Sequence, residues 1–102
     1  MTHYNIQYTR QALDDIRQVV SFIRDTCSAP ITAKKYAEGL IEFIKSLSHS
    51  AHSFPVSLQT DVLQYGANAR RVHYKRKMSV IYTISRDKVI IHRIIPSSII
   101  KT

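Results

Sequence analysis

The sequence predicts a two-layer α+β fold, with an N-terminal strand and an antiparallel helical hairpin packed on a small antiparallel sheet in the order β-α-α-β-β-β. Three observations predict it. Two stretches of three- and four-residue apolar spacing are separated only by Ser28-Ala29-Pro30, as two adjoining amphipathic helices require. The run from Arg70 to Ile95 is dominated by β-branched and aromatic residues and is broken at Arg76-Lys77 and Arg86-Asp87, the pattern of a three-strand meander. Both helices have one apolar stripe to bury, and one face of that sheet is where they can bury it.

Tyr4 to Tyr8 alternates apolar and polar residues, which marks a short half-buried strand, placed at an edge of the sheet or beside the last strand. Thr9 is a helix N-cap. Leu13, Ile16, Val20, Ile23 and Cys27 then form the first helical stripe, widened by Val19 and Phe22. Asp14 and Asp15 fall near the positive end of that helix, and their expected role is to favour it electrostatically. Pro30 is expected to stop the helix, and a second begins near Ile31 or Thr32. Its buried stripe is Ala33, Tyr36, Ala37, Leu40, Ile41, Ile44 and Leu47. Gly39 costs about 1 kcal/mol inside a helix, which suggests a close approach by another element. From Ser46 to Asn68 periodicity is lost, and only Phe54 is expected to tuck against the core. Val72 and Tyr74 then alternate with Arg71, His73 and Lys75, giving one apolar and one cationic face, with Arg71 and Lys75 in phase. The nearly continuous apolar run Val89–Ile95 fits a central strand buried on both faces.

A chain of 102 residues suits one domain with a modest core. No run of 18 apolar residues exists to span a membrane, and the N-terminus lacks signal-peptide features. Lone Cys27 excludes an internal disulfide, agrees with a reducing cytoplasm and is expected as a small buried hydrophobe. His49 and His52 have a metal-compatible spacing that no Cys or carboxylate cluster completes, so they read as surface histidines, and no metal or cofactor is expected. The charge is localised. Residues 1–69 hold six basic and six acidic groups, whereas residues 70–95 hold eight basic groups against Asp87 alone, a local charge of +7. Such a field points to a polyanionic or acidic-protein partner, because protecting strand edges needs fewer charges.

Taken in order, Tyr4–Thr9, Ala12-Leu13-Asp14-Asp15-Ile16, Ser28-Ala29-Pro30 with Ala33, Tyr36 and Leu40, Leu47 through Phe54-Pro55, Arg71, Val80-Ile81-Tyr82 and Val89–Ile94 resemble the toxins of the RelE/ParE superfamily. The two-helix hairpin places the resemblance closest to the ParE branch. It implies the toxin half of a type II toxin–antitoxin pair, with a cognate antitoxin as partner in a hetero-oligomer and DNA gyrase as target, and no catalytic residues. The RelE branch instead cuts messenger RNA on the ribosome, and that is the alternative, together with a degenerate, non-toxic member. The basic residue that RelE-like chains carry in the middle strand falls at Ser79, and neither the RelE tail residues nor the His-x-x-Arg-Asp-like ParE tail occurs in Pro96-Ser97-Ser98-Ile99-Ile100.

His73, between Arg71 and Lys75, is the best general acid/base candidate, followed by Arg71, Tyr82 and His92. Tyr82 and His92 also fit structural roles in apolar strands. Arg70, Arg71, His73, Lys75, Arg76, Lys77 and Arg93 are assigned collectively to a partner-binding patch. A plain nucleic-acid-binding domain would expose stacking aromatics among these cations, yet Tyr74 and Tyr82 share phase with the apolar positions.

Overall fold

The computed structural model describes residues 3–75 and 77–96. Strand β1 (Asn5–Tyr8) leads into helix α1 (Arg10–Ser21), and Thr9 caps that helix by accepting a hydrogen bond from the Ala12 N–H at 3.1 Å. A π-helical turn, Phe22–Thr26, follows. Ser28 at φ 51° ends it, and helix α2 starts at Pro30. Pro30 therefore opens the second helix rather than closing the first, because its fixed φ and missing N–H suit the first helical position. Helix α2 (Pro30–Ser50) buries Ala33, Leu40, Ile44 and Leu47.

The meander is antiparallel, as expected: β2 (Arg70–Tyr74), β3 (Met78–Ser85) and β4 (Lys88–Pro96). β1 joins it beside β4, at the edge, but runs parallel, so the four-stranded sheet is mixed, in the order β1-β4-β3-β2. One face receives α1 and α2 over Val72, Tyr74, Val80, Tyr82, Val89, Ile91 and Ile94. Tyr74 explains Gly39: a Cβ there would lie 2.5 Å from the Tyr74 hydroxyl.

Three expectations are corrected. Helix α1 buries Ala12 and Asp15, while Leu13 and Phe22 (57% exposed) face solvent. The true helical line runs one residue off the most apolar one, because Asp15 has a partner in the sheet. Cys27 is exposed: it caps the π-turn, none of whose residues is buried. The aperiodic connector contains a 3₁₀ turn (Ala51–Ser53) and a short helix α3 (Thr60–Leu63), and Val62 and Tyr65 pack on Ala69, Ile81 and Ile95 across the second sheet face. Part of that face is therefore covered.

Candidate partner-binding surface

The strand cations divide into those turned inward and those turned out. Arg93 is turned inward. Between Ile81 and Tyr82 the β3–β4 register shifts, so Ile81 faces Arg93, Tyr82 faces Ile91, and His92 is the extra residue. The bulge places Arg93 against Asp15, with Nε–Oδ2 2.7 Å and Nη2–Oδ1 3.1 Å, and Nη1 donates to the Tyr65 hydroxyl at 3.3 Å. The Asp15 hydrogen bond is the main cause that raises the Arg93 guanidinium above its usual range. β1 stops pairing at Ile91, so the next stretch of β4 lacks a strand on that side, and Asp15 Oδ2 accepts the Ile94 N–H at 2.9 Å in its place. Asp15 is thus a buried tie between α1 and β4, not a helix-dipole group.

Arg70 lies on the helix-facing side, and its Nη1 donates to the carbonyls of His52, at 3.2 Å, and Phe54. Arg71 lies on the opposite face. Its Nε donates to Ser79 Oγ at 2.9 Å and its Nη1 to Gln59 Oε1 at 2.6 Å. Tyr82 is fully buried and donates to the Ala51 carbonyl at 2.6 Å. Burial pushes its hydroxyl up to about 12, which removes it from proton transfer near neutrality. His92 is half-buried, with Nε2 2.9 Å from Thr83 Oγ1 and its ring 6.0 Å from that of Tyr65, and burial lowers its pKa.

What remains outward is His73, Lys75 and Lys77, all exposed. Lys75 sits in the β2–β3 turn at φ 50° with its ammonium 5.5 Å from the Tyr74 ring. It is past the end of β2, so the pleat does not align it with Arg71 as the two-residue period suggests. Arg76 lies outside the described residues. Arg86 lies in the other hairpin turn and Lys88 opens β4 beside it, across the eight residues of β3, about 27 Å away at the usual rise per strand residue. That exceeds the roughly 8 Å screening length at physiological salt, so the two turns act as separate patches.

Two concavities flank this arrangement. One, of about 410 Å³, is lined by Pro55–Gln59 with Arg71 and His73, and Leu58 in its wall is 94% exposed. The other, of about 460 Å³, lies between α1 and the end of β4, where Val19, Phe22, Met78 and Ile95 make it largely apolar around the Asp15–Arg93 pair. Leu58 and Gln59 were not singled out by sequence reasoning. The alternation of Val56 and Leu58 with Ser57 and Gln59 is the signal that could have found them. Among the described residues no group of three His, Cys, Asp or Glu side chains is placed to hold a metal ion, and no helix is long and apolar enough to cross a membrane.

The family model of the ParE toxin of the type II toxin–antitoxin system, parDE, matches residues 6–100. Among solved structures, a chain of the chromosomal ParDE TA system from P. aeruginosa superposes with a TM-score of 0.76 at 18% identity, over 92% of this chain and 96% of that one. At that identity the likeness is one of fold. No curated protein matches the sequence. The family match spans nearly the whole chain: it belongs to the ParE toxin family of type II toxin–antitoxin systems.

Proposed function

We propose that this ParE-family chain is a one-domain cytoplasmic toxin that inhibits DNA gyrase by protein–protein contact and is silenced by a cognate antitoxin in a hetero-oligomer. The family match supports the toxin and its antitoxin. What favours contact over catalysis is the occupation of the groups a phosphate-cutting site would need. Cationic stabilisation requires guanidinium donors free to meet a developing charge. Arg71 already donates through Nε to Ser79 and through Nη1 to Gln59, Arg93 is held by Asp15 and Tyr65, and the Tyr82 hydroxyl is buried against Ala51. Ser79 itself is fully buried.

One observation favours the RelE-like endoribonuclease as second reading: His73 lines the same 410 Å³ groove as Arg71. Supercoiling assays separate the two. The purified chain is expected to inhibit gyrase, and its co-encoded antitoxin to relieve the inhibition. Codon-phased cleavage of translated messenger RNA, abolished by His73→Ala, with gyrase unaffected, would contradict the proposal.

A further inference from the structure

We infer that His3 and His49 form a binding site for one divalent metal ion of the zinc class, and that the ion fastens the entry of β1 to the C-terminal end of α2. The site stands or falls independently of the toxin reading.

Spacing along the chain pairs His49 with His52, but the fold pairs it with His3. The Tyr4 N–H donates to the Ser48 carbonyl at 2.8 Å, so the two histidines each sit one residue from the same backbone hydrogen bond. Core burial holds both sides of that bond. Tyr4 is 8% exposed, and Leu47 and Ala51, on either side of His49, are fully buried. The two imidazoles are left on the surface, with ring centroids 4.8 Å apart and planes at 66°. His52 is placed otherwise: its ring is 6.2 Å from that of Tyr4, and its carbonyl accepts from Arg70.

Neutral imidazole is a preferred zinc ligand through either ring nitrogen, at about 2.0–2.1 Å. Two imidazoles on one tetrahedral ion have ring centres about 5 Å apart, since each centre lies roughly 1 Å behind its nitrogen. The separation of His3 and His49 matches this. Both side chains are exposed, so turning each ring to aim a nitrogen at a common point displaces no packed group. The position favours a cation for a second reason. His49 lies in the last turn of the 21-residue helix α2, at the negative end of its dipole. Among the described residues no third His, Cys, Asp or Glu completes the set, so water fills the other positions and the ion exchanges. The two histidines are far apart in the unfolded chain, so zinc binds the folded chain preferentially and stabilises it.

The untagged full chain is titrated with zinc chloride, followed by calorimetry and by NMR of the histidine ring protons. One zinc per chain is expected, shifting the ring resonances of His3 and His49 and leaving those of His73 and His92 in place. His3→Ala and His49→Ala should each weaken binding about ten-fold or more, and His52→Ala less than about two-fold. His3→Phe keeps a ring beside His49 and should lose the ion as His3→Ala does, which separates ligation from edge-to-face ring packing. Zinc should raise the melting temperature of the wild type and of His52→Ala, and leave that of His3→Ala unchanged. Magnesium, which prefers oxygen ligands, should neither bind nor stabilise. Full zinc affinity in His3→Phe, an equal loss in His52→Ala, unshifted His3 and His49 resonances, or a zinc-linked dimer in place of the one-to-one complex would overturn the proposal. If a variant does not fold, the resonance map of the wild-type chain decides alone.

Discussion

The two flanks of the sheet solve the same problem differently. At the β4 flank, where β1 has ended, a carboxylate from α1 takes the open Ile94 N–H and neutralises Arg93. At the β2 flank Val56 bridges only Arg70, and His73, Lys75 and Lys77 face solvent. Arginines and lysines that look alike along the sequence therefore do opposite jobs. What decides is whether the fold brings an acceptor to the cation. Arg93 meets Asp15 across 78 residues of sequence. The lysines of the β2–β3 turn are given no carboxylate by any ion pair of the described residues.

The contrast can be broken most forcefully at Asp15. Asp15→Ala leaves Arg93 without its counter-charge and the Ile94 N–H without an acceptor. Breaking a buried pair costs about 3–5 kcal/mol, and the partial exposure of Arg93 puts the expected loss near 3 kcal/mol in urea unfolding. Asp15→Asn should lose less, since its amide oxygen still accepts from Ile94. A cost within about 0.5 kcal/mol, the range of ordinary surface changes, would place the tie among exposed ion pairs.

Tyr82→Phe is next. It strands the buried Ala51 carbonyl, and the expected loss is about 1–2 kcal/mol. The same residue gives a pH signature. Its hydroxyl holds its proton up to about 12 in the folded chain, against 10.0 ordinarily. Between those values the unfolded chain has released a proton that the folded one keeps, so stability falls as pH rises. Tyr82→Phe should flatten that alkaline decline. An unchanged decline would assign it to other groups.

Arg71→Ala removes hydrogen bonds to Ser79 and Gln59 from a half-buried site, and about 1 kcal/mol should follow. Were Arg71 only a patch residue, its loss would leave stability untouched and weaken binding alone.

Much of this architecture is legible in the sequence. The helical hairpin, the meander and the buried line of α2 follow from apolar period, and Thr9 from capping chemistry. Gly39 announced the approach of Tyr74. Side-chain partnerships over long distances are not legible, and they account for the misreadings. Asp15 reads as a helix-dipole residue because no local pattern shows Arg93. Leu13 reads as core because apolar spacing cannot show that the helix turns a carboxylate inward instead. Residues 46–68 lack a single period since the segment combines the last turn of α2, which runs to Ser50, with a 3₁₀ turn, a strand-like bridge and one helical turn. The strand cations differ in their surroundings for a simpler reason: composition counts charges and says nothing of which hydrogen bonds occupy them.

The smallest expected effect on stability belongs to the exposed turns, and it is there that the central claim is tested most directly. Lys75→Glu/Lys77→Glu and Arg86→Glu/Lys88→Glu make equal charge reversals at opposite ends of β3, and each should change folding stability by no more than about 0.5 kcal/mol. Association rates of the co-encoded antitoxin are then measured for both variants and the wild type across salt concentration. The account predicts a fall of about ten-fold or more at low salt for the Lys75/Lys77 reversal, with a flattened or inverted salt dependence, and wild-type rates for the other. Equal slowing by both reversals, or by neither, would contradict it.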